Sequence, residues 1–193
     1  RSKKEILKAD AVVISDYNKG LITKNILKKI INFSKNHNKP VILDPKSADF
    51  EKYKGATIVT PNIKELEKVV KKKLINDKEI IDASRKLISK FNFNHLLVTM
   101  GKLGMILISK ERKSVMKLEA EAKEVFDVSG AGDTVVSFIA AGLACSLKIE
   151  EVIKIANIAA GIVVNKTGTS VAHLSEMLIS VNKNDYHLSK VMD

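Results

Sequence analysis

Short apolar runs alternate along the chain with longer stretches in which apolar residues recur every three or four positions. "AVVIS" (Ala11–Ser15), "PVILD" (Pro40–Asp44), "ATIVT" (Ala56–Thr60) and "HLLVTMG" (His95–Gly101) have the length and the Val/Ile/Leu content of buried strands. Between them lie helical patterns over residues 23–38, 61–72 and 77–91. Thr23 is placed to cap the first, and Pro61 sits near the start of the second. Beyond Gly101 the rhythm changes. "GMILIS" and "KSVMKLEA" flank "KERK", which reads as a β-hairpin. Two further helices are expected over 130–146 and 149–166, and a short last one over "LSEMLISVNKND".

Continuous apolar strands separated by helices predict an α/β fold whose mostly parallel sheet is covered on both faces. Ligands of such sheets bind beyond the carboxyl ends of the strands. The polar residues at those ends are Asp16, then Asp44 and Lys46, then Asn62 and Glu65, then the stretch Thr99–Gly104. There is no internal repeat and no low-complexity linker.

Composition narrows the picture. At 193 residues and 45% hydrophobic, the chain is sized for one domain with a substantial core. Its single cysteine, Cys145, rules out a disulfide framework and points to a reducing cytoplasm. The four histidines (His37, His95, His173, His187) lack metal-ligand spacing. No apolar stretch is long enough for a membrane span. The net charge of +11 invites a nucleic-acid reading. The lysines, however, are spread over amphipathic segments and are not interleaved with aromatics, so neither nucleic acid nor membrane is expected as a partner.

The candidate chemistry is concentrated in "DVSGAGDT", Asp127–Thr134. Gly130, Ala131 and Gly132 carry no bulk that would keep a ligand from the backbone. At a helix start their N–H groups bind an anion. An Asp there repels phosphate, unless it takes a proton from a hydroxyl that attacks phosphorus. The same residues read equally well as a glycine turn with an Asp cap. The spacing is neither that of a P-loop nor that of a dinucleotide fingerprint.

"DVSGAGDTV" followed by a helix and by "AAGIVVNKTGTS" resembles the C-terminal signature of the ribokinase-like carbohydrate kinases, the phosphofructokinase-B type. "TPNIKELEKV" is similar to that family's N-x-x-E motif, and "VTMGKLGM" to its T-x-G-x-x-G turn. "SDYNKG" and "DPK" resemble a narrower group, the heptose 7-phosphate kinases of lipopolysaccharide-core synthesis, which are often fused to an adenylyltransferase. The motifs run in family order from Asp16 to about Ala172.

The resemblance implies a three-layer αβα ribokinase-like fold and ATP-dependent phosphorylation of a sugar hydroxyl. Asp133 would be the general base, with Gly130, Ala131 and Gly132 as the anion hole. Asn62 and Glu65 would organise Mg²⁺ through water, although the pair also suits a polar helix start. Lys46 would meet a nucleotide phosphate, or be one more solvated lysine. Thr99, Gly101 and Gly104 would line the nucleotide, or form a tight turn. Asn157 would lie beside the base, or be a satisfied buried amide. Asp127 and Ser129, with backbone oxygens near Val163, Lys166 and Gly168, would ring a K⁺ ion. Asp16 and Lys19 would lie on the sugar-phosphate side.

The resemblance also implies that residues 1–193 are a C-terminal segment of a longer kinase domain. The family's N-terminal strands, its sugar-binding Gly-Gly motif and its β-sheet lid are not in this sequence. The segment by itself is then expected to bind nucleotide, to turn over sugar poorly, and to associate with itself or with an N-terminal part through an open sheet edge. Two other functions stay open: a different sugar or nucleoside kinase of the same fold, and an incompetent nucleotide-binding fragment.

Overall fold

The computed structural model describes residues 2–112, 115–121 and 127–183. In chain order the elements are α1 (Ser2–Lys8), β1 (Val12–Asp16), α2 (Lys24–Asn36), β2 (Val41–Pro45), a 3₁₀ turn at Phe50–Tyr53, β3 (Ile58–Val59), α3 (Ile63–Val70), α4 (Asp77–Phe91), β4 (His95–Thr99), β5 (Met105–Ser109), β6 (Val115–Leu118), α5 (Ala131–Ala144), α6 (Ile149–Val164) and α7 (Leu174–Lys183). The strands form one sheet in the order β1-β2-β3-β4-β5-β6. The first four are parallel, and β5 and β6 add on as antiparallel neighbours.

Crossovers that are right-handed and all step the same way must place their helices on one face. They do: α2, α3 and α4 share a core with Ile14, Val41, Leu43, Val59, Leu96, Val98 and Ile106. The alternate strand positions, Ile42, Ile58, Leu97, Met105 and Leu107, turn to the other face and meet α5 and α6. Every residue of β2 and β5 is buried, which explains their unbroken apolar runs. α7 packs on α6 through Met177, Ile158 and Ala159. The result is the expected three-layer α/β arrangement.

The local signals mostly hold. Thr23 caps α2, its hydroxyl accepting from Ile26 N–H at 3.3 Å. β3 is shorter than the expected 56–60, and α3 starts at Ile63 after Pro61 and its cap, Asn62. The 3₁₀ turn at Phe50–Tyr53 has no counterpart in the periodicity. Residues 113–114 of the expected hairpin and 184–185 of the expected last helix lie outside the described residues. β1 forms an edge of the sheet, and its Val13 is 46% exposed.

Candidate active site

Because β1 to β4 run parallel, their carboxyl ends lie along one edge, and the chemistry gathers there. An isolated bridge joins Asn62 to Thr99, and Thr99 N–H donates to the Pro61 carbonyl at 3.1 Å. Thus the turn after β3 is drawn against the end of β4. Across the sheet, α5 begins at Gly130, which adopts a left-handed backbone (φ +79°) that favours glycine.

The start of α5 has no side-chain cap. Ala131 N–H donates to the Val128 carbonyl, whereas the N–H groups of Gly132 and Asp133 find no acceptor among the described residues. Such groups, at the positive end of a helix dipole, attract anions. Asp133 is exposed, and its carboxylate makes no hydrogen bond or ion pair among the described residues. Asp133 is not an N-cap, because that position belongs to Gly130. The arrangement can hold an anion and, one residue away, accept a proton.

Beside it opens a cleft, about 690 Å³ when open solvent is included. Thr99, Gly101, Gly104 and Asn157, the expected nucleotide contacts, line it together with Ala131 and Gly132 of the expected anion hole. Val128, Ala160, Gly161 and Val164 complete an apolar wall. All four lie in the stretches "DVSGAGDTV" and "AAGIVVNKTGTS" that carry the resemblance, but none stands out there, since small and branched apolar residues read as ordinary helix packing. Asn157 is 3% exposed and donates to the Glu119 carbonyl at 2.8 Å, which holds the β6 end over the cleft. Gly104 has a separate steric duty: a Cβ there would collide with the Leu118 backbone carbonyl.

Asn62 and Glu65 form a reciprocal capping box. Glu65 N–H donates to Asn62 Oδ1 at 2.9 Å, and Asn62 N–H to Glu65 Oε2 at 2.8 Å. The second oxygen of Glu65 faces Lys46 Nζ at 3.3 Å, and Asp44 Oδ1 lies 3.0 Å from the same ammonium. Burial works against the Lys46 charge, but the hydrogen bond and field of Asp44, with Glu65, outweigh it and hold the ammonium above its usual range. Lys46 is therefore a fixed cation between two carboxylates. Among the described residues, no three His, Cys, Asp or Glu side chains cluster to hold a metal directly. The hard oxygens of Asp44, Asn62 and Glu65 do suit Mg²⁺ that keeps its own waters.

Asp127 ties two loops together. Its Oδ1 accepts from Ser129 N–H at 2.8 Å and its Oδ2 from Gly168 N–H at 3.2 Å. Those bonds hold its carboxyl below the usual range. Asp127 N–H also donates to the Val164 carbonyl. The segments expected to ring a monovalent cation thus do meet. The Val163 carbonyl already accepts from Lys166 N–H, however, and the Lys166 ammonium is bound to Glu176 and the Val171 carbonyl. Asp127 likewise gives both side-chain oxygens to N–H groups, whereas the carbonyls of Ser129, Lys166 and Gly168 accept no backbone hydrogen bond among the described residues and so suit K⁺.

Asp16, expected on the sugar-phosphate side, is turned inward to protein groups. Only 2% exposed, it accepts from Tyr53 O–H at 2.6 Å and Asn18 N–H at 2.9 Å and pairs with Lys52. Both oxygens are engaged, so the residue organises its surroundings from within. Lys19, on the exposed turn just beyond, keeps a free ammonium among the described residues. Lys52 and Tyr53 were not identifiable in the sequence, being one lysine and one tyrosine in an unremarkable polar stretch.

The chain is thus a three-layer α/β fold with a bare helix start, a free carboxylate and an apolar cleft at the carboxyl edge of its sheet. The pfkB family carbohydrate kinase profile matches residues 1–176, and the chain belongs to that family. Among curated proteins it is 42% identical over 190 residues to the bifunctional protein HldE of Paramagnetospirillum magneticum, covering 98% of this chain and 39% of that protein. It is 48% identical over 167 residues to the HldE of Pasteurella multocida, covering 86% of this chain and 34% of that protein. The chain thus spans little more than a third of the curated relatives it matches. Among solved structures, Arabidopsis thaliana ribokinase complexed with ribose and ATP superposes with a TM-score of 0.81 at 23% identity, covering 93% of this chain and 58% of that one. Escherichia coli phosphofructokinase-2 in complex with potassium gives 0.81 at 18% identity, over 95% and 60%. These two likenesses show the fold. Among the described residues, no helix is long and apolar enough to cross a membrane.

Proposed function

We propose that this chain is the nucleotide-binding and proton-accepting part of an ATP-dependent sugar kinase that phosphorylates O1 of D-glycero-D-manno-heptose 7-phosphate, giving the 1,7-bisphosphate for lipopolysaccharide-core synthesis. The single observation that carries it is the unpartnered Asp133 carboxylate beside the acceptor-free N–H groups of Gly132 and Asp133, at the mouth of the apolar cleft. The identity to two HldE proteins supports heptose over other sugars.

In this reading the adenine lies against Ala160, Gly161 and Val164, with Asn157 and the Thr99–Gly104 turn around it. Lys46 is drawn to the nucleotide phosphates as a point charge. Asn62 and Glu65, joined by Asp44, would hold Mg²⁺ through its waters, and the ion would neutralise phosphate charge. Asp133 takes the proton of the sugar hydroxyl while the start of α5 holds the charge of the transferring group. Lys19 faces the sugar phosphate. The loops at Asp127 and Gly168 would hold K⁺, whose charge would add to the field at the start of α5. The reaction belongs to the longer cytoplasmic protein, alone or as a homo-oligomer.

A substrate panel on the full-length protein tests the proposal. Heptose 7-phosphate with Mg–ATP should give a kcat/KM at least about tenfold above ribose, fructose 6-phosphate and nucleosides, a difference of about 1.4 kcal/mol. Preference for any of those others would replace heptose with another substrate of the same fold.

A further inference from the structure

Residues 16–20 form the turn that carries Lys19. Tyr17, Asn18, Lys19 and Gly20 are exposed, and Asn18 and Gly20 both have left-handed backbones (φ +55° and +85°). Among the described residues, the only hydrogen bond held by 17–20 is from Asn18 N–H to Asp16 Oδ1, at 2.9 Å. The orientation of the turn therefore rests on where the Asp16 carboxylate points.

That carboxylate is set from behind. Its other oxygen receives Tyr53 O–H and the Lys52 ammonium. Tyr53 is fully buried, its ring edge-on to Phe50 with centroids 5.5 Å apart, and Phe50 in turn meets Phe93 at 6.3 Å. The Lys52 side chain is only 9% exposed, and its ammonium lies 5.2 Å from the centre of the Tyr53 ring. The anchor is thus part of the main core, whereas the turn it governs is at the surface. The Asp16 carbonyl also accepts from Lys46 N–H at 3.1 Å, so the same residue connects the Lys19 turn to the strand end that carries Lys46.

A buried ion pair is a poor way to gain stability, because desolvation cancels much of the attraction. An apolar pair would fill this space as well. What a charged, hydrogen-bonded group adds is direction. Burial alone would raise the Asp16 carboxyl, yet Lys52, Tyr53 and Asn18 together hold it below the usual range, so it stays ionised and directional.

We infer that Lys52 and Tyr53 are positioning residues for the sugar-phosphate side of the site: through Asp16 they aim the turn that presents Lys19. The inference rests on the proposed sugar-phosphate kinase reading. It concerns residues in the core that touch no substrate, and it separates them from residues that merely keep the chain folded.

The test uses the full-length protein. Lys52→Met should raise KM for the sugar phosphate about tenfold while KM for ATP stays within about twofold, and Lys52→Arg should restore it. Tyr53→Phe, which removes one hydroxyl and keeps the ring, should raise the same KM about threefold, and it carries the test if Lys52→Met does not fold. Amide exchange at Asn18 should quicken at least tenfold in these variants, with the amides of β2 and β5 unchanged. If both KM values, kcat and core exchange move together, the residues are only structural and the inference is overturned. It is equally overturned if KM for the sugar phosphate does not change. Should the wild-type protein phosphorylate no sugar phosphate, the kinase reading fails by itself. The Asn18 amide then decides: unchanged exchange overturns the clamp, and faster exchange upholds it.

Discussion

Asp16 shows how one side chain is committed by its surroundings. Its folded-state pKa lies below the ordinary carboxyl value of 3.8 despite burial, because Lys52, Tyr53 and Asn18 all favour the ionised form. A depressed acid contributes stability above its unfolded pKa and loses it as pH falls through the folded value. Unfolding free energy should therefore drop as pH goes from about 4 downward. The double variant Asp16→Asn with Lys52→Met, which removes both buried charges, should show a shallower acid dependence in denaturant melts between pH 3 and 5. An unchanged slope would mean that other carboxylates carry the effect. Lys46 is held in the opposite sense: the hydrogen bond and field of Asp44, with Glu65, keep its ammonium charged despite burial. A polar helix start at Asn62 and Glu65 was readable in the sequence, and in the structure the pair forms a capping box. The Asp16–Lys52 pair was not, since nothing local links residues 36 apart in the chain.

At the scale of elements, periodicity told strand from helix wherever an element was long. α2, α4, α5 and α6 fall close to their expected spans because each has a clear apolar stripe or run. β3 did not, because only Ile58 and Val59 enter the ladder before Pro61 turns the chain. The short 3₁₀ turn at Phe50–Tyr53 is capped locally by Asp49, which accepts from Glu51 N–H at 3.2 Å, but Phe50 also packs on Phe93, a contact that no window of sequence reports. The two glycines of the T-x-G-x-x-G turn look alike in sequence and differ in space. Gly104 (φ +85°) has the β6 backbone against it, whereas Gly101 (φ +59°) has open space on its Cβ side. Gly104→Ala should cost about 2–4 kcal/mol, strain and clash together. Gly101→Ala should cost only about 1–2 kcal/mol, the left-handed penalty alone. Chemical denaturation of the two variants checks the difference, and equal losses would contradict this division of labour.

Across the whole molecule, the parallel order of β1 to β4 brings Lys46, Asn62, Glu65 and Thr99 to one edge, and α5 closes on it from the far face. The gathering of these residues was legible from the alternation of strands and helices, because strand ends in such sheets must converge. The cleft's apolar wall was not, since it depends on how α6 packs against the sheet. The central claim is that Asp133 accepts the proton of the attacking hydroxyl while the start of α5 holds the phosphoryl charge. One measurement addresses it most directly: turnover and Mg–ATP affinity of Asp133→Asn in the full-length protein. Loss of the base should lower kcat by roughly 10²–10⁴-fold, with ATP affinity kept or slightly improved as a negative charge leaves the site. Near-normal turnover by Asp133→Asn would contradict the account.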